Sequence, residues 1–178
     1  KALLIFVIAV CFGSLTAQAG SFKTMASGND VEPAFRAGDK VINLGLGLGN
    51  VLYIGRYYKT RIPPVSMSVE YGFIDDFLIE DLTLGLGAYL GASANRYEFL
   101  GSGWNYFNVI VGARGAAHYT VIDKLDTYAG LMFGIRMNFS NSFGYSNTET
   151  KISPGLAYAA FVGGRYYFSN NLALFGEL

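Results

Sequence analysis

Cysteine is almost missing: Cys11 is the only one in 178 residues. That excludes a disulfide framework and leaves no Cys-based metal site or thiol nucleophile beyond position 11. His118 is the only histidine. With so few nitrogen and sulfur donors, a transition-metal centre is not expected. Charge is also scarce, at 15% of residues against about 25% in an ordinary soluble chain. The 13 basic and 13 acidic residues cancel, so no basic surplus exists to hold nucleic acid. Beyond Ala19 no uncharged apolar run reaches the roughly 18 residues of a spanning helix. If this part of the chain enters a membrane, it must do so as a closed barrel, because only helices and barrels satisfy every backbone group in lipid.

What is abundant is aromatic and small: 14 Phe, 13 Tyr and 23 Gly, with only 4 Pro. The N-terminal stretch has its own character. Lys1 stands before an apolar run from Ala2 to Gly13, and Ala17-Gln18-Ala19 has the small-x-small form of a cleavage site. Residues 1–19 therefore read as a secretory signal, and the mature chain is expected to begin at Gly20. Cys11 falls inside the apolar run; Val10 is too large for a lipidation motif, so this cysteine is read as inert. A first residue that is Lys and a last residue, Leu178, that stops in mid-strand read as a chain clipped at both ends.

Residues 20–37 are polar and irregular and read as a flexible lead-in. From Gly38 to Leu178 the period is two. Strands are expected over about Lys40–Gly49, Pro64–Phe73, Leu82–Gly91, Phe107–Tyr119, Tyr128–Met137 and Leu156–Phe168, with a seventh starting at Leu172. Connections 74–81, 120–126 and 169–171 are short and rich in Asp and Asn, as turns should be. Those over 50–63, 92–105 and 138–153 are longer. Short turns at one end and long loops at the other are the pattern of outer-membrane barrels.

The distribution along each face decides between soluble and membrane barrels. One face of every strand is uncharged. Its middle is aliphatic (Leu84, Leu86, Val109, Val111, Leu131) and its ends are aromatic. Tyr71, Phe73, Tyr119, Tyr166 and Phe168 fall beside the short turns, and Phe107, Phe139 and Tyr158 beside the long loops. Two such girdles are expected at lipid–water boundaries; Phe133 is the exception, near mid-height. The opposite face is mostly Gly, Ala and Ser, a poor soluble surface but suited to the inside of a narrow barrel. The expected fold is all-β: a transmembrane antiparallel up-and-down β-barrel of eight strands, seven at least partly present and the last clipped. The expected place is the outer membrane.

Three segments carry a family likeness: Gly112-Ala-Arg-Gly-Ala-Ala-His-Tyr119, Asp123-Lys-Leu-Asp-Thr-Tyr-Ala-Gly-Leu131, and Gly163-Gly-Arg-Tyr-Tyr-Phe-Ser-Asn-Asn171. Over about Gly38 to the end, the chain resembles the small eight-stranded outer membrane protein β-barrel domains of the outer membrane protein A and X type. The resemblance speaks to architecture and not to an activity.

Five charges fall on the inner face: Glu70, Arg114, Arg136, Arg165 and Glu177. They read as a structural plug, with a channel constriction as the alternative, because a narrow barrel is filled by its own side chains and buried charges need partners. Arg165 and Glu177 are nearly equidistant from the turn at 169–171, which predicts direct cross-strand pairing. His118 lacks a neighbouring nucleophile and reads as a rim histidine touching water, not a catalytic base. Gly45-Leu-Gly-Leu-Gly49 and Gly85-Leu-Gly87 lie in mid-strand and do not form a phosphate loop. The loops carry Tyr53, Arg56, Tyr57, Tyr58, Lys59 and Trp104, a candidate contact surface. The expected role is therefore structural or surface-binding and not enzymatic, with a small passive pore as the alternative and a lipid A-modifying barrel enzyme or a soluble ligand-binding barrel as more distant ones. No cofactor is expected. The expected partners are outer-membrane lipid, lipopolysaccharide and the barrel-insertion machinery, with no nucleic acid, and the expected state is monomeric.

Overall fold

The computed structural model describes the backbone of residues 11–18 and, with side chains, residues 32–47, 55–144 and 150–178. Among the described residues there is no helix. A short stretch, β1 (Cys11–Gln18), precedes seven strands: β2 (Lys40–Leu46), β3 (Tyr58–Ile74), β4 (Leu82–Phe99), β5 (Ser102–Ile122), β6 (Leu125–Phe143), β7 (Thr150–Ser169) and β8 (Leu172–Glu177). These seven form one antiparallel sheet in which each strand pairs with the next in sequence. The backbone of β1 pairs antiparallel with both outer strands, Leu15 standing opposite Leu44 of β2 and Leu174 of β8. The segment read as a signal peptide is thus partly strand-paired here; its first ten residues and Ala19 lie outside the described set.

Alternation fixes which way each residue looks. Leu44, Leu86, Val111 and Leu131 stand on the exposed face; Leu131 keeps 54% of its surface open. Asn43, beside Leu44, is buried, as are Ser68, Thr83 and Ser93 at alternate positions of β3 and β4. The polar face is therefore the enclosed one, the reverse of a soluble sheet. Contacts between non-neighbouring strands show how tightly the sheet curls around it: Arg165 of β7 reaches Glu70 of β3, and Arg114 of β5 reaches Glu177 of β8.

Glycine makes that curl possible. Gly163 lies directly opposite Tyr128, and Gly130 directly opposite Phe161. A Cβ placed on Gly163 or Gly130 would stand 2.5 Å from the facing ring. Each aromatic ring lies flat across its glycine and covers backbone that would otherwise be bare. This lets large side chains fit a narrow interior.

Three expectations need correction. The strands run further than predicted at the end opposite the acidic turns. β4 and β5 pair up to Phe99 and Ser102, leaving only Leu100 and Gly101 as the connection. Both adopt positive φ, 49° and 82°, which is the two-residue hairpin geometry that matches strand twist. Most of the expected loop over 92–105 is thus strand. Above the apolar band neither face needs to be greasy, so the period of two fades while the hydrogen bonding continues. Second, Tyr158 does not sit beside an outer loop; its cross-strand partner is Phe133, near the middle of β6. Phe107 and Phe139 do pair at the upper end, rings 6.2 Å apart. Third, the end of the expected flexible lead-in is held in place. Ala34 and Phe35 are buried, Ala34 donates its N–H to Thr120 Oγ1, and Gly38 and Asp39 exchange backbone hydrogen bonds with Gly72.

The glycine–aromatic fit yields a test. Gly163→Ala is expected to destabilise the fold by about 1–3 kcal/mol, the usual cost of overpacking. Urea unfolding in detergent reads this directly; an unchanged midpoint would show that Tyr128 does not lie on Gly163.

Candidate functional site

The enclosed face gathers its charges at one level. Even-numbered positions of β5 point inward, so Arg114 and His118 lie on one row, four residues apart. Glu70 faces them from β3, Asp126 from β6, Arg165 from β7 and Glu177 from β8. Two ion-pair groups result.

The first is fully buried. Arg165 Nη2 donates to Glu70 Oε2 at 3.1 Å, and Arg165 Nη1 lies 3.1 Å from Asp126 Oδ2. His118 bridges the same two carboxylates, with Nε2 3.1 Å from Glu70 Oε1 and Nδ1 3.0 Å from Asp126 Oδ1. Arg165 also donates to the Tyr167 hydroxyl at 3.2 Å. Carboxylates only accept, so the ring balances when both imidazole nitrogens donate: two cations then face two anions. Phe35 closes this group from below, its ring 4.2 Å from that of His118. Burying four charged groups is tolerable only because each is paired and hydrogen-bonded.

In the second group, Arg114 donates through both terminal nitrogens to Glu177, at 2.7 and 3.4 Å. Its guanidinium also lies 4.1 Å over the Phe161 ring. Arg114 Nη1 reaches Ser68 Oγ at 3.4 Å, and Asn43 donates to the same hydroxyl at 3.1 Å.

Four of the five expected interior charges are therefore brought together. Their pairing differs from expectation. Gly163, and not Arg165, stands opposite Glu177, and Arg165 stands opposite Phe175. The turn between β7 and β8 carries a register shift between Tyr167 and Ser169, so equal distances from it do not give partners. Arg136 stays apart. It is half-buried beside Gly155 and has no carboxylate within ion-pair distance among the described residues. His118 is not at a wet rim; it is 1% exposed. With both ring nitrogens engaged, none is left for a substrate, and among the described residues no hydroxyl hydrogen-bonds to it.

Asp126 and Phe35 went unrecognised in the sequence. Asp126 was counted with the turn that precedes it, yet it shares parity with the inward Tyr128, and that parity was the available signal. Phe35 lies outside any strand, so no periodicity marks it.

The upper-end surface is only partly assembled. Tyr53 lies outside the described residues. Tyr57 packs edge-on against Phe99, ring centres 5.1 Å apart, and Tyr58 lies 5.1 Å from Tyr97. Trp104 stands opposite Tyr97 and belongs to β5, not to a loop. Arg56 and Lys59 are exposed, without a carboxylate partner among the described residues.

Arg165→Met should cost about 3–5 kcal/mol, because Glu70 and Asp126 are left as buried, under-compensated charges. Arg136→Met removes a cation with no carboxylate partner and should change stability by under about 0.5 kcal/mol. Paired urea titrations compare the two; equal losses would overturn the assignment of the network. Comparison of the chain with protein-family models, curated proteins and solved structures finds no match.

Proposed function

We propose that this chain is an integral outer-membrane protein. In this reading β2 to β8 supply seven strands of a closed eight-stranded barrel similar to the small outer membrane protein A and X type, and the eighth place lies between β8 and β2. The carrying observation is the inversion of faces: an uncharged apolar surface outward and a paired, charged interior. In water such an outward face would expose Ile42, Leu44, Leu46, Leu86, Val111, Leu131 and Ile135 in one continuous band, far beyond the patches a soluble monomer shows. In lipid the same band is the favourable surface. Tyr71, Phe73, Tyr119, Tyr166 and Phe168, all exposed at the acidic-turn end, suit a boundary with headgroups.

The turns Asp75–Asp81, Asp123–Lys124 and Asn170–Asn171 are assigned to the periplasm, and the extended hairpins to the outside. The role is non-catalytic and lies in the upper surface: contact with outer-membrane lipid, lipopolysaccharide or an external partner, as a monomer placed by the barrel-insertion machinery. A conducting pore is the weaker alternative. The burial of Arg165, His118 and Phe35, with the last two in ring contact, argues against an open pathway past them.

The signal reading and the pairing of Cys11–Gln18 exclude one another in a single mature molecule. Cleavage after Ala19 vacates the slot between β8 and β2. Any strand taking that slot must run antiparallel to both, as β1 does.

Two outcomes are expected. Expressed in a Gram-negative host, the protein should fractionate with the outer membrane and migrate faster on gels unheated than boiled; recovery from the periplasm without detergent would refute the membrane reading. The mature chain should start at Gly20 by N-terminal sequencing, and retention of Ala2–Ala19 would refute the signal reading.

A further inference from the structure

The two ends differ in charge. The lower turn between β3 and β4 carries Asp75, Asp76, Glu80 and Asp81. Among the described residues, the upper end carries Arg56, Lys59, Arg61, Arg96 and Lys151 against Glu98 alone. Arg96 pairs with Glu98 at 3.1 Å. The other four cations have no carboxylate partner among the described residues.

The upper end also holds a trough of about 550 Å³. Its floor is a row of cross-strand partners spanning four strands: Ile62, Ala94, Phe107 and Phe139. Ala94 is the small member, set between larger neighbours, and this leaves the hollow. Arg61 lines the trough at its edge. Asn95, buried with neither amide atom hydrogen-bonded, borders it. Along the strands below, the row runs into the apolar outward band through Leu90, Val109, Val111 and Met137. A greasy hollow edged by Arg61, at an end rich in cations without a carboxylate partner among the described residues, matches a molecule with an acyl chain below an anionic head.

We propose that this trough binds one phosphate-bearing membrane lipid. The acyl chain lies over Ala94 between Ile62 and Phe107, and Arg61 with its neighbouring cations takes the phosphate. This rests on the membrane reading above, and names the lipid contact of that surface. The lower end, with four acidic residues in one turn, repels the same headgroup, so the site exists at one end only.

Native mass spectrometry of the full chain, refolded in neutral detergent, tests it. The probes are phosphatidylglycerol, phosphatidylcholine of the same chains, and inorganic phosphate. Phosphatidylglycerol should be retained in preference to phosphatidylcholine, and Arg61→Gln should reduce that retention by about threefold to fivefold, the worth of one exposed ion pair. Ala94→Phe, which fills the hollow, should reduce retention of both lipids, while Ala94→Ser should not. Inorganic phosphate at equal concentration should not compete, since it lacks the chain. Equal retention of the two lipids, an unaffected Arg61→Gln variant, or full competition by phosphate would each overturn the proposal. Heat-modifiable migration after refolding into phosphatidylcholine vesicles is read separately for every variant. Failure of the parent chain to insert overturns the membrane reading and this site together; insertion without phosphatidylglycerol preference overturns the site alone.

Discussion

An arginine can be sealed inside a protein only where fixed acceptors surround it, and Arg165 meets that condition by drawing both on its neighbouring strand and on one far from it in the sheet. Glu70 arrives from β3 and Asp126 from β6, and His118 ties the same two carboxylates from β5. A flat sheet could not bring these groups together. The ion network and the curvature of the sheet therefore require each other: curling supplies the partners, and the partners offset the desolvation of a strongly curled polar face. Loosening either one leaves unpaired charge without water.

The rest of the interior follows from the space this leaves. Tyr128 and Phe161 need room beside Arg114 and Arg165, and glycine in the adjoining strand provides it. Phe35 then covers the network from the lower end, which ties part of the chain outside the strands into the same structure. The trough and the cations without a carboxylate partner among the described residues lie at the upper hairpins instead.

The strands were legible because period two survives wherever one face must be apolar and the other must not. Ile42-to-Leu48 and Leu82-to-Leu90 announce themselves this way. The hairpin extensions of β3 to β7 were not legible for the same reason. Beyond the apolar band Arg96, Glu98 and Trp104 can follow any order, since neither face is bound to be greasy. Of the candidate site, Glu70, Arg114, Arg165 and Glu177 were recognisable as inward charges from parity alone. Their pairing was not, because a one-residue shift near Tyr167 changes which residues face each other.

By itself the sequence determined the all-β class, the direction each side chain looks within its strand, and the identity of the charges that must be enclosed. These depend on alternation, which is local and written in neighbouring residues. Only the tertiary structure decided that His118 is a buried bridge, that Phe35 caps the network and that Arg136 has no carboxylate partner among the described residues. Those facts depend on the strand register and on how far the sheet curls. Both are set by contacts between residues far apart in the chain, and no local pattern records them.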